Sequence, residues 1–187
     1  ILDVQKATIA YNSDWLAPLS LADTIAIAGK TTLARILERD DFAGRYRENR
    51  PIGLHEMLYP LLQAYDSVAL HADVEVGGTD QTFNLLLGRE MQRSYGQDPQ
   101  DVLTFPLLPG LDGVEKMSKS LDNYIGLDEA PEIQFEKCMK VPDAVWETYF
   151  RMTTDLDASV FAPVCAQDMR EAHLLYAREI VRIYGGA

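Results

Sequence analysis

The sequence predicts a helix-dominated α/β fold in which short parallel strands give way to a separate helical module. Three observations carry that expectation. Apolar residues recur at helical spacing from the start to about Leu70, a strand–helix–strand succession spans Ala72 to Leu108, and helical periodicity returns beyond Asp128. The strands are too far apart for a hairpin, so a right-handed crossover is expected to pair them in parallel. The chain has 187 residues, 47% hydrophobic and 25% charged, the composition of a globular protein and not of a disordered tail or coiled coil. Its net charge of −12 argues against gripping nucleic acid by bulk charge, though a small basic loop could still hold a few phosphates. No apolar run is long enough for a bilayer and no charged-then-apolar leader opens the chain. Two cysteines, Cys138 and Cys165, are too few for a disulfide scaffold, so a reducing cytoplasm is expected. The opening Ile-Leu-Asp-Val, without Met, reads as part of something longer.

Taken in order, Leu19, Leu21, Ala22, Ile25, Ala26 and Ala28 form the first apolar segment. Thr31 or Thr32 then suits an N-cap before Leu33, Ile36 and Leu37. Gly53 to Leu70 carries a helical stripe that Pro60 should kink or restart, because proline cannot donate to the carbonyl of Glu56. Ala72 to Val76 alternates like a strand and ends in the tight Gly77-Gly78 turn. Asp80 suits the cap of the next helix, with Phe83, Leu86, Leu87 and Met91 on one side and Gly96 as its stop. Val102 to Leu108 reads as a buried strand, and Pro109 to Asn123 as a loop rich in Gly, Asp and Lys. Asp128 and Asp143 suit helix caps, and Asp168 to Tyr184 reads as a long amphipathic helix.

Four local features could carry chemistry. Gly29-Lys30-Thr31-Thr32 imitates the end of a phosphate-cradling loop. It lacks the earlier glycine and preceding strand that would converge backbone amides on a phosphate, so a helix start is expected there. Val76 to Gln81 joins a strand's carboxyl end to a helix start, where open α/β sheets place ligands. Its Asp80 could accept from ribose hydroxyls, or serve only as a cap. Tyr59, Gln63 and Asp66 share one helix face, presenting a phenol, an amide and a carboxylate that either satisfy one another or surround a polar ligand. Lys116-Met117-Ser118-Lys119-Ser120 is a local cationic site in an acidic chain, suited to polyphosphate charge.

That five-residue run resembles the KMSKS loop of class I aminoacyl-tRNA synthetases. Together with Gly77-Gly-Thr-Asp-Gln81 and Tyr59-Pro-Leu-Leu-Gln-Ala-Tyr-Asp-Ser67, it is similar to the bacterial tyrosyl-tRNA synthetases from about Tyr11 through Pro142. The resemblance implies the back half of a Rossmann-type nucleotide-binding domain over residues 1–127, including the lysine loop, and a helical module over 128–187. It implies ATP-dependent activation of L-tyrosine to tyrosyl-adenylate and transfer to tRNA(Tyr). Carried over, Tyr59 and Gln63 hold the substrate's α-amino group, Asp66 faces its phenol, and Gln81 lies near its carboxylate. Gly78 and Asp80 hold the ribose. Met117 and Ser118 join Lys119 in binding ATP, and Lys116 and Lys119 meet the pyrophosphate end as catalytic groups. Lysines that meet this charge mainly in the transition state raise turnover more than ATP affinity. The substrate carboxylate is already an anion, so no side-chain base is needed. Mg²⁺ would arrive with ATP and no resident metal site is expected.

The resemblance also implies a homodimeric cytoplasmic parent, with a HIGH-type histidine motif and a C-terminal RNA-binding domain. Neither is present here: His55, His71 and His173 are isolated. The chain alone is therefore expected to be nearly inactive. A tryptophanyl-tRNA synthetase shares the architecture and lysine loop; Asp66 and the Gly-Gly-Thr-Asp-Gln string favour tyrosine. A non-catalytic synthetase-like binding module is the rival of another class, set against intact Asp80 and Lys119. A P-loop phosphotransferase would rest on Gly29-Lys30-Thr31 alone.

Overall fold

A computed structural model describes residue 3 and residues 5–185. Ile1, Leu2, Val4, Gly186 and Ala187, at the outer ends of the two expected domains, lie outside the described residues. The chain divides into two compact units, the first ending at Pro106 and the second beginning at Leu107.

The first unit runs α1 (Ser13–Leu16), α2 (Leu21–Ala28), α3 (Leu33–Ile36), α4 (Asp40–Arg47), α5 (Leu54–Leu70), β1 (Val74–Gly78), α6 (Thr82–Ser94) and β2 (Asp101–Phe105). Ser20 and Asp23 close a capping box on α2, and the Thr32 hydroxyl accepts from the Arg35 N–H to start α3. Helix α5 continues through Pro60 as one element, where the sequence suggested a kink or restart. Pro60 is itself buried, beside Leu61, Ala64 and Val68, so tertiary packing outweighs one lost backbone bond. Left-handed His71 (φ 48°) ends it. The core of this unit joins Ile27, Phe42, Leu61, Val68, Leu87 and Met91.

Strands β1 and β2 pair in parallel, from Val74 opposite Asp101 to Gly78 opposite Phe105. A polar network locks their inner face to the helices. Ser67 Oγ (3.1 Å) and Gln100 Nε2 both donate to Glu75 Oε2. Gln92 Nε2 donates to the Ala72 carbonyl at 2.8 Å, and Gln92 Oε1 accepts from the Gln100 N–H at 2.7 Å. Gly88 lets α6 approach, since a Cβ there would sit 2.8 Å from Ser67 Oγ and Gln100 Nε2. On the outer face Val74, Val76, Leu103 and Phe105 are exposed. The second strand thus departs from the buried run expected over Val102 to Leu108. It is shorter, and among the described residues helices cover only one side of the sheet.

The second unit holds the 109–123 loop, α7 (Pro131–Cys138), α8 (Trp146–Thr153), α9 (Ala158–Gln167) and α10 (Met169–Tyr184). Asp168 caps α10 as expected, accepting from the Arg170 and Glu171 N–H groups. Asp128 and Asp143 do not act as caps. Helix α7 starts three residues after Asp128, with Pro131 supplying its preset backbone angle at N1. Asp143 opens a 3₁₀ turn and pairs with His173 at 3.0 Å. The core is aromatic: Trp146, Tyr149, Phe150, Phe161 and Tyr176 pack with Cys138, Val141 and Ile180, and Phe150 and Phe161 stack at 4.7 Å. Burial pushes the Cys138 thiol up to about 12 and raises the Tyr149 and Tyr176 phenols.

Candidate functional site

In the first unit, α5, the end of β1 and the start of α6 bring an amide cluster together. The side-chain nitrogen of Asn84 donates to Gln63 Oε1 and to Gln81 Oε1, both at 3.0 Å. Asn84 is only 3% exposed, and its own Oδ1 is buried with no hydrogen-bond partner among the described residues. One turn beyond Gln63 on the same helix, the Asp66 carboxylate accepts from the Trp15 indole N–H at 2.7 Å. Of these residues, sequence reasoning singled out Gln63, Gln81 and Asp66 and passed over Asn84 and Trp15. Asn84, three residues after Gln81 at a helix start, carried a usable signal, being polar at a core position. Trp15, 51 residues from its partner, carried none.

Tyr59, one turn before Gln63, is 59% exposed. It lines an open cleft of about 420 Å³ with Arg39, Phe42, His55, Glu56 and Leu62. The Glu56 carboxyl on its wall is held down at about 2 by the Arg45 guanidinium and then the Gly53 N–H.

Gly78 ends β1, and Asp80 lies inside a 3₁₀ turn, Thr79–Gln81. Asp80 does not cap α6, which starts at Thr82 with no side-chain cap, because the 3₁₀ turn occupies the position a cap would take. Gly77 gives α6 room beside β1: a Cβ would stand 3.1 Å from the Leu85 side chain, tight enough to make that side chain shift. The Gly29–Thr32 run is a helix end followed by a helix start, as expected. Gly29 closes α2, and Lys30 Nζ donates to the Ser94 carbonyl and lies over the Tyr95 ring.

The lysine run belongs to the second unit. Pro109 and Lys116 form an antiparallel bridge, and Gly113 turns the loop at φ 73°. The Met117 N–H donates to the Leu108 carbonyl at 2.8 Å. Its side chain enters an apolar cavity of about 220 Å³ with Leu108, Ile125, Met152 and Tyr176. Ser118 caps a 3₁₀ turn, Lys119–Leu121, by accepting from the Leu121 N–H, and Asp122 ends that turn in the left-handed region. Lys116 and Lys119 are both exposed. No group of three or more His, Cys, Asp or Glu among the described residues could hold a metal, and no described helix is long and apolar enough to cross a membrane.

The whole chain, residues 1–187, matches a family model described as tRNA synthetases class I (W and Y). It is 57% identical over 176 residues to a tyrosine–tRNA ligase of Deinococcus radiodurans, covering 94% of this chain and 43% of that protein. It is 51% identical over 190 residues to one from Moorella thermoacetica, covering 98% and 46%. The chain thus spans less than half the length of these curated relatives. Among solved structures, it resembles a tyrosyl-tRNA synthetase complexed with L-tyrosine from Archaeoglobus fulgidus. That match has a TM-score of 0.63 and 27% identity, covering 93% of this chain and 62% of that one.

Proposed function

Because this chain belongs to the class I tRNA synthetases of the tryptophan and tyrosine type, we propose that it is the part of a tyrosine–tRNA ligase that reads the amino acid and carries the lysine loop. The observation that supports this best is the Asp66 carboxylate, fixed by Trp15 one turn from the Gln63–Asn84–Gln81 cluster. A carboxylate so held is an acceptor that a phenol satisfies and a phenyl ring leaves without its donor, which costs far more than a lost methyl group. Tyr59 and Gln63 take the α-amino group, and Gln81 lies near the carboxylate. Gly78 and Asp80, at the strand end, take the ribose.

ATP is the second substrate and brings Mg²⁺ with it. The tyrosine carboxylate attacks the α-phosphorus, and pyrophosphate leaves with the electrons of the broken P–O bond. Lys116 and Lys119 stabilise the charge gathering on that leaving group, assisted by Met117 and Ser118. A terminal ribose hydroxyl of tRNA(Tyr) then attacks the adenylate's carbonyl carbon, forming the tyrosyl ester as the carbonyl–phosphate bond breaks and AMP leaves. The homodimer, the cytoplasmic setting and the 127/128 division between catalytic part and helical module belong to this same reading. Pyrophosphate exchange tests it. The full-length protein should exchange with tyrosine and not with tryptophan or phenylalanine, whereas the 187-residue chain alone should show almost none. Exchange driven by tryptophan would overturn the assignment.

A further inference from the structure

The loop that carries Lys116 and Lys119 is organised around a buried residue, Asn123, which is 6% exposed. Its single carboxamide reaches both sides of Met117. Oδ1 accepts from the Ser118 N–H at 2.8 Å, while Nδ2 donates to the Lys116 carbonyl at 3.2 Å and to the Asp112 carboxylate. The backbone carbonyl of Asn123 accepts from the Leu111 N–H at 2.8 Å. The facing residue has to be glycine, because a Cβ on Gly110 would fall 2.1 Å from Asn123 Nδ2.

Asp112 completes the clasp. Its Oδ1 accepts from the Val114 and Glu115 N–H groups at 2.8 and 2.7 Å, folding the far turn of the loop. The Asn123 amide first, and those two N–H groups after it, hold the Asp112 carboxyl below the usual carboxylate range. The backbone on either side of Met117 is therefore fixed by one side chain, with Met117 seated in its apolar cavity between. Lys119 starts the 3₁₀ turn immediately after Ser118. The path of both lysines is set from the same point.

We propose that Asn123, braced by Asp112, is a positioning residue for adenylate formation: it holds the Lys116–Lys119 segment in the geometry that meets the departing pyrophosphate. This rests on the reading of those lysines as ATP-directed groups. Preorganised charge is effective because it need not reorganise as the transition state forms, so loosening the clasp should reduce turnover and spare tyrosine binding.

The test uses the full-length ligase with Asn123→Ala, Asn123→Asp, and Asn123→Asp combined with Asp112→Asn. Two readouts are taken: pyrophosphate-exchange kinetics, and hydrogen exchange at the Ser118 amide. Asn123→Ala should lower kcat by about 10- to 100-fold, the equivalent of one or two hydrogen bonds, with KM for tyrosine unchanged and Ser118 protection lost. Asn123→Asp alone sets two carboxylates face to face and should be worse. Adding Asp112→Asn restores an acid–amide pair between the two positions while the carboxylate at 123 keeps the Ser118 acceptor, and should recover part of kcat, the donor to the Lys116 carbonyl staying lost. Unchanged Ser118 protection in Asn123→Ala, unchanged kcat despite lost protection, or a parallel rise in tyrosine KM would each overturn the proposal. If the unmodified ligase exchanges no tyrosine, the functional reading falls separately, while Ser118 protection still decides whether Asn123 sets the loop.

Discussion

Asp66 and Glu56 sit ten positions apart on α5 and show how differently two carboxylates can be used. Asp66 is oriented by a neutral indole donor. Trp15→Phe removes that donor while preserving an aromatic ring and, on the proposed function, should raise KM for tyrosine in the full-length protein by about tenfold with little change in kcat. Steady-state exchange kinetics will read it. Glu56 is paired with a guanidinium, Arg45 Nη2 lying 2.6 Å from its Oε2. Its folded value of about 2 lies below the ordinary 4.5. The stabilisation it gives is therefore complete above about pH 4.5 and is lost as the pH falls toward 2. Urea midpoints of wild type and Glu56→Gln should differ near pH 7, and the gap should narrow near pH 3. The candidate residues Tyr59, Gln63 and Asp66 stood out in the sequence because their spacing sets them along one side of α5 within a few turns. Trp15 did not, since its contact with a residue 51 positions away depends on tertiary packing that no local spacing encodes.

At the scale of elements, helices announced themselves through periodicity, and their ends were less faithful. Thr32 and Asp168 cap as their residue types suggest, yet Asp80, Asp128 and Asp143 do not, because an acidic residue near a helix start also suits 3₁₀ turns and ion pairs. Helix α5 ends on His71, a non-glycine residue held at φ 48° and ψ 46°. Its N–H donates to the Val68 carbonyl, and the Ala72 N–H returns to that of Ser67. This geometry favours glycine. His71→Gly should stabilise the protein by about 0.5–1 kcal/mol, the relief of left-handed strain exceeding the added chain entropy. Urea unfolding will measure it. The strands were placed correctly in order, and the second was misjudged in burial. Apolar β-formers in β2 read as interior, and sequence alone does not say how many sides of a sheet its neighbours cover.

For the whole molecule, helix dominance and the parallel pair were both readable, since pattern length and connection length limit the choices. The network joining Ser67, Glu75, Gln92 and Gln100 was not, because each member is an ordinary polar residue until α5, β1, α6 and the segment before β2 meet. Parallel sheets are normally sandwiched between helices on both faces. Here Val76 and Phe105 on the outer face are 60% and 56% exposed. The 187-residue chain in isolation should therefore self-associate as its concentration rises, and Leu103→Lys should suppress this by placing a charge in the patch. Sedimentation of both forms over a concentration series will check it. The bare flank also limits engineering. Any attempt to keep this chain soluble by itself must first give the sheet a coat, by repainting it with polar residues or by supplying a second helical layer.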